Sequence, residues 1–338
     1  MSGDRAAGQD AVLVLGEALI DLVPVTRSAQ RAPAGEPELW RAQPGGAPAN
    51  VAVDLARLGT PAAFAGGLGG DGFARTVDDW LRSAGVDTGL CARSSLPTAL
   101  AVADPGPEGN SYHFHLRDTA TFSLPAVTKA EMSRFGAVYA GGLAAVVQPA
   151  AGTVAQAARA AAEHGLLVVD PNVRAEDDGA RRLLAELCAS AHVVKASDED
   201  LARLWPGTGP EVSARRLADE GRLVVMTLGA RGSTAFVPSG EVASVPAVPV
   251  DVVNTIGAGD AFMAGMLAWL GAAGLLRRGA PAGIGVDRAG QMLAAAAEVA
   301  ATVCALSDGC VPPYTHPPLG LPSRVPRDDG YAPSTRGC

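Results

Sequence analysis

Lysine is almost missing from this chain of 338 residues: Lys129 and Lys195 are the only ones, and arginine carries nearly all of the positive charge. Acidic residues outnumber basic ones, 35 to 27, which leaves a formal net charge of −8, and no run of Arg or Lys forms a stripe. Binding along a phosphate backbone needs a concentrated basic footprint, so no nucleic-acid partner is expected. An anionic small ligand remains possible, but backbone amides, a helix start or a metal would have to neutralise it. Aromatic residues are also scarce, at 4%, so aliphatic and small side chains must build the core. The five cysteines (Cys91, Cys188, Cys304, Cys310 and Cys338) are odd in number, widely spread and without a C-x-x-C pair. A disulfide framework or a zinc site therefore lacks support, and a reducing compartment is expected. No stretch reaches the ~20 apolar residues that span a bilayer. The first apolar run, Ala11 to Leu15, is too short for the core of a signal peptide and is soon followed by Glu17 and Asp21. The expected location is the cytoplasm, with no membrane partner.

What is present is apolar residues, at 48%, against 18% charged, enough for a sizeable core in one large α/β domain with an accessory piece. Ala11 to Leu15 predicts a fully buried strand of the parallel-sheet kind. Pro48 to Leu58 has helical spacing and stops at Gly59, and Ala62 to Ala65 reads as a short strand before a helix over 72–85. Two strands, Thr98 to Ala103 and Ser111 to Leu116, flank a turn-rich stretch with no helix between them, which predicts an antiparallel pair outside the main sheet. From 136 onward strands (137–140, 166–169, 192–194, 223–226) alternate with helices (152–164, 178–189, 211–220). That rhythm argues for βαβ units, a parallel sheet and right-handed crossovers. Two helices, 258–271 and 287–304, close the fold. The termini, 1–10 and 314–338, are expected to be flexible.

Open α/β sheets bind ligands at the carboxyl ends of their strands, where strand-to-helix turns converge. Asn254 to Phe262 runs from extended backbone into a helix through Gly257-Ala258-Gly259. Three small residues let backbone amides approach an anion, and the helix start adds partial positive charge. Asp260 falls in the first turn beside that position, where a carboxylate can take a proton from a hydroxyl attacking a phosphoryl group. It can equally be a plain helix cap. Gly45-Gly46-Ala47-Pro48-Ala49-Asn50 opens another helix, and Asn50 can hydrogen-bond a polyol or simply face water. Asp21, just beyond the first strand, can accept two hydroxyl donors or be an ordinary loop carboxylate. Gly67-Leu68-Gly69-Gly70-Asp71-Gly72 formally matches the dinucleotide fingerprint and raises a rival reading, an NAD-dependent oxidoreductase. That fingerprint belongs after the first strand, whereas here it follows the second α/β unit. No Gly-Lys-Ser/Thr and no His-Arg-Asp occurs, so a phosphotransferase here has neither a Walker A loop nor a protein-kinase catalytic loop.

Together these residues resemble the ribokinase-like, or PfkB, family of carbohydrate kinases over about 11–313. The two glycine-rich segments look like that family's two signatures. Asp170 to Arg174, Lys195 to Leu201 and Thr227 to Ser233 follow in family order. The resemblance implies a Rossmann-like three-layer, mostly parallel sheet with helices on both faces, plus a small β lid drawn from about 22–44 and 97–124. It implies Asp260 as base, with Gly257, Ala258 and Gly259 as anion hole. Asp21, Gly45, Gly46, Asn50 and Arg174 would hold the sugar. Lys195, Ser197, Asp200, Thr227, Gly229 and Gly232 would lie around ATP, with Mg²⁺ on the phosphates and no metal held by protein ligands alone. Lids of this family often pair, which implies a homodimer.

Gly16 to Pro24 and Gly-Gly-Ala-Pro-Ala-Asn are similar to the fructokinase branch, so fructose is the first expected acceptor. Ribose, a keto-deoxy sugar acid, a nucleoside and a secondary-metabolite sugar are alternatives, as is a sugar sensor that has lost catalysis. Two departures from the family stand out. Ser197 and Asp200 replace the usual Asn-x-x-Glu, a change the fructokinase branch shares. Asn254 stands where an Asp usually helps bind a monovalent cation, so potassium activation is expected to be weak or lost.

Overall fold

Ala11 to Leu15 is buried throughout, as a near-continuous apolar run at the centre of a parallel sheet must be. The computed structural model describes residues 8–25, 39–106, 109–174, 177–306 and 310–312. In chain order the first half holds β1 (Gly8–Leu15), β2 (Leu19–Pro24), β3 (Trp40–Gly45), α1 (Ala47–Arg57), β4 (Ala62–Ala65), β5 (Gly67–Leu68), α2 (Gly72–Ser83), β6 (Ala92–Arg93), β7 (Leu100–Gly106) and β8 (Gly109–His115). There follow α3 (Lys129–Met132), β9 (Phe135–Gly141), α4 (Ala150–His164), β10 (Leu166–Asp170), α5 (Asp178–Ser190), β11 (Val193–Ser197), α6 (Asp198–Leu204) and α7 (Pro210–Asp219). The last elements are β12 (Leu223–Thr227), β13 (Ser233–Phe236), β14 (Val242–Val245), α8 (Ala258–Ala272) and α9 (Val286–Cys304).

The large sheet has eight strands in the order β14-β13-β12-β11-β10-β9-β1-β4. All neighbours from β12 to β4 run parallel, and the two remaining pairs, β12–β13 and β13–β14, are antiparallel. Successive residues of β1 feed opposite cores, as the period of two requires. Val12 and Val14 pack with α1, α8 and α9, whereas Ala11, Leu13 and Leu15 pack with α4, α5 and α6. This is the three-layer α/β fold anticipated from the alternation of strands and helices.

A second sheet of four strands, β3-β2-β7-β8, stands apart from the first. The pair β7–β8 is antiparallel, as the helix-free spacing predicts, and β7 also joins β2 in parallel. Asp21, read from sequence as lying in a loop, sits on β2 opposite Gln43 and Ala101. Pairing with two neighbours turns that polar-containing segment into a strand. Residues 1–7 and 313–338, most of the expected flexible termini, lie outside the described residues, as do 26–38 of the anticipated lid segment. Gly8 to Asp10 belong to β1.

Candidate active site

The carboxyl ends of β1, β9, β10, β11 and β12 converge on a cleft of about 660 Å³ that the four-stranded sheet overhangs. Among the charged groups that line it are Asp260, Lys195, Asp170 and Glu17. The chain enters α8 through Gly257, whose φ of 80° is left-handed and so favours glycine, and Asp260 falls in the first turn. First-turn amides have no intrahelical acceptor and carry the positive end of the helix dipole. Asp260 Oδ2 accepts a hydrogen bond from Asn50 Nδ2 at 2.9 Å. Burial pushes the Asp260 carboxyl up to about 6, while the Asn50 bond and the Lys195 charge restrain the rise. A carboxylate with that value is ionised at neutral pH and still basic enough to accept a proton.

Lys195, one of the two lysines, is buried on β11 with its Nζ 2.7 Å from Asp170 Oδ2. Burial alone would lower its pKa, but the Asp170 carboxylate outweighs that and raises it. The same amine lies 3.2 Å from where a Cβ on Gly259 would be, so positive charge underlies the glycine turn. Ser197 and Asp200 form a capping box for α6: Ser197 Oγ accepts from Asp200 N, and Asp200 Oδ2 accepts from Ser197 N. Asp200 Oδ1 also accepts from Val173 N at 2.9 Å, which fastens the segment bearing Arg174.

On the opposite wall, burial pushes Asp21 up to about 6. A Cβ on Gly45 would come within 2.0 Å of Asp21 Oδ2, and one on Gly46 within 2.6 Å of the Glu17 carbonyl. Gly46, with a φ of 103° and backbone against it, therefore has to be glycine, whereas a side chain at Gly45 would displace the Asp21 carboxylate. Arg174 and Tyr112 face the same space, and Tyr112 stacks on Phe114 with ring centroids 6.1 Å apart.

The structure brings most of the anticipated residues to this one cleft. Asp21, Gly46, Asn50 and Arg174 line it with Lys195, Ser197, Asp200 and Thr227, and Gly257, Gly259 and Asp260 complete the wall. Gly45 abuts Asp21, and Ala258 is the first residue of α8. Gly229 and Gly232 are not among the lining residues; they bracket the turn after β12, where a Cβ on Gly232 would meet the Val245 carbonyl at 2.1 Å. Asn254 uses its Oδ1 locally, accepting from Ile256 N at 3.0 Å. Sequence reasoning gave no role to Glu17, Asp170, Tyr112 or Phe114, which also line the cleft. The readable signal for Glu17 was a carboxylate directly after the apolar run of β1.

The fingerprint-like Gly67 to Gly72 offers no room for a dinucleotide. A Cβ on Gly67 would meet the Ala120 carbonyl at 1.8 Å, and one on Gly69 the Leu96 carbonyl at 2.6 Å. Asp71 caps α2 and accepts from Thr98 N at 2.8 Å. Among the described residues no helix is long and apolar enough to cross a membrane, and Cys91, Cys188 and Cys304 are free thiols.

An open α/β sheet whose strand ends meet a lidded cleft, lined by carboxylates and a glycine-opened helix, defines an enzyme acting on small polar molecules. The pfkB family carbohydrate kinase model matches residues 9–312, and the chain belongs to that family of ATP-dependent sugar kinases. It is 34% identical to Fructokinase-1 of Zea mays over 273 residues, covering 78% of this chain and 83% of the relative. A fructokinase with bound ATP from Xylella fastidiosa superposes with a TM-score of 0.80 at 27% identity, covering 89% of this chain and 94% of that one. Aminoimidazole riboside kinase from Salmonella enterica, complexed with aminoimidazole riboside and an ATP analog, gives 0.73 at 26% identity, covering 89% and 97%.

Proposed function

We propose that the chain transfers the γ-phosphoryl group of ATP to a primary hydroxyl of fructose, with Asp260 as the base. The observation that carries this reading is the placement of Asp260 in the cleft lining, held by Asn50 at 2.9 Å and preceded by the Gly257–Gly259 turn. Asp21, Gly46, Asn50 and Arg174 hold the sugar, and the Gly45–Gly46 turn lets its hydroxyls approach the backbone. Asp260 takes the proton of the attacking hydroxyl. The amides at the start of α8, with Lys195 beneath Gly259, receive the charge that develops on the phosphoryl oxygens. Thr227, Ser197 and Asp200 border the nucleotide side of the cleft.

Among the described residues no three His, Cys, Asp or Glu side chains gather into a metal cage. Magnesium would accordingly take most of its oxygen ligands from the phosphates, where it neutralises their charge. Asn254 carries no charge at the position where the family's cation-binding Asp usually stands, so exchanging potassium for tetramethylammonium changes the rate less than about twofold. A strong potassium stimulation would count against that role of Asn254. The four-stranded lid pairs two chains into a homodimer.

ADP release with Mg-ATP over a panel of sugars and nucleosides tests the reading, with Asp260→Asn in parallel. Fructose turns over, and the variant loses ~10²–10⁴ in kcat. Turnover of another sugar alone would reassign the substrate, and an active Asp260→Asn enzyme would remove the base. The stacked Tyr112 and Phe114 offer an aromatic face to a nucleoside base as well, so preferential turnover of a nucleoside would favour that class over fructose.

A further inference from the structure

The proposed reaction leaves Glu17 without a part, although it is 2% exposed and lines the cleft beside Asp260. It occupies the short link between β1 and β2, where the chain leaves the large sheet for the lid. Its Oε1 accepts from Leu143 N at 3.1 Å and its Oε2 from Ala144 N at 2.9 Å, the amides that open the turn Leu143–Ala145 after β9. The carboxylate fills the space over Gly142, where a Cβ would lie 2.5 Å from Oε1. The Glu17 carbonyl closes on Gly46, which starts the helix bearing Asn50, and Asn50 in turn holds Asp260. One residue thus touches the root of the lid, the glycine turn and the loop after β9. Its neighbours Ala18 and Leu19 are apolar and buried, so a carboxylate here carries a desolvation cost that simple space-filling would avoid.

We infer that Glu17 is a positioning residue for phosphoryl transfer, its carboxylate tying the lid root to the Leu143–Ala145 turn and so fixing the sugar pocket against Asp260. This rests on the sugar-kinase reading above. Burial pushes Glu17 up to about 7, against the pull of the two amides, and Asp260 adds to the rise. The titratable groups that interact with it are Asp260 on α8 and Tyr139 on β9, whose own pKa Glu17 helps to raise. The turn 142–146 and residues 45–47 bring no titratable side chain. Protonating Glu17 removes one of its two acceptors and loosens the tie.

Glu17→Gln keeps the volume and removes the charge. In this variant kcat/KM for the sugar falls roughly 10- to 100-fold, while KM for ATP stays within about twofold. The acid limb of the wild-type profile carries a step near 7 from Glu17 above the ionisations near 6 of Asp260 and Asp21; the variant loses the upper step and keeps the lower ones. Glu17→Asp, which preserves the charge, retains the upper step. Amide hydrogen exchange at Leu143 and Ala144 accelerates at least about tenfold in Glu17→Gln, a readout independent of turnover. Faster exchange with unchanged sugar kinetics and acid limb would reduce Glu17 to a structural plug and overturn the inference, as would unchanged exchange. A wild-type enzyme that turns over no sugar would overturn the sugar-kinase reading, and this inference with it. An active wild type matched by an equally active Glu17→Gln overturns the inference alone.

Discussion

At the scale of single residues, the cleft is built from carboxylates kept out of water. Asp170 tolerates full burial because Lys195 lies at 2.7 Å, and removing either partner would leave the other charge unpaired, typically a loss of 3–5 kcal/mol. Asp54 has weaker support. Its Oδ1 accepts from Val311 N at 2.8 Å, its buried Oδ2 has no partner among the described residues, and burial pushes its pKa up to about 8. The folded value exceeds the unfolded one of 3.8, so Asp54 costs folding nothing below that pH, and its cost accumulates as pH rises towards about 8. Asp54→Asn keeps an acceptor for Val311 and removes the charge. It therefore stabilises the protein at pH 8 by about 1–3 kcal/mol and has no advantage at pH 4. Urea denaturation at the two pH values checks this; an equal change at both would show that the buried charge is not the cause.

At the scale of elements, most of the chain was legible because its helices and strands follow their own periods. The expected helix over 258–271 is α8, whose residues 261–270 are all buried between α1, α9 and the sheet. Such a helix is apolar all round, so the glycine turn rather than amphipathicity announced its start. Gly257 is where that start depends on one residue. Alanine there would have to hold a φ of 80°, at a cost of roughly 1–2 kcal/mol. Gly257→Ala lowers kcat by roughly 10²-fold, because first-turn amides that move no longer match the developing charge. Steady-state kinetics beside a melting curve separates the two effects, and full activity would place the anion site elsewhere. The sequence reading does not find every element, and the hairpin β13–β14 and the helix α6 show why. The hairpin β13–β14 has strands of four residues each, too short to show alternation, and β12 is what makes it sheet. The seven-residue α6 carries a readable signal, the Ser197–Asp200 capping box, in two side chains that the family resemblance places around ATP.

At the scale of the whole molecule, the four-stranded sheet contributes one side of the cleft. Its edge strands are β3 and β8, and Leu39, Trp40 and Phe114 expose apolar surface there. Open strand edges with apolar flanks favour pairing with another copy. Sedimentation equilibrium at micromolar concentration is expected to give twice the chain mass, and Trp40→Asp to shift it towards the monomer. A monomeric wild type would leave the lid of each chain to close its own site.

The sequence by itself determined the alternation of strands and helices, the glycine turns and the position of Asp260 in a helix first turn. These follow from local periodicity and backbone sterics, which act over a few residues. The tertiary structure alone decided that Asp21 lies on a strand, that Gly67 to Gly72 is filled by its own neighbours, and that Gly229 and Gly232 bracket the turn after β12. It also decided that Asn50 reaches Asp260 across 210 positions and that Glu17 clasps amides 126 and 127 positions away. Desolvation, which sets the basicity of Asp260 and Glu17, arises from how separate segments exclude water together, and no local pattern encodes it.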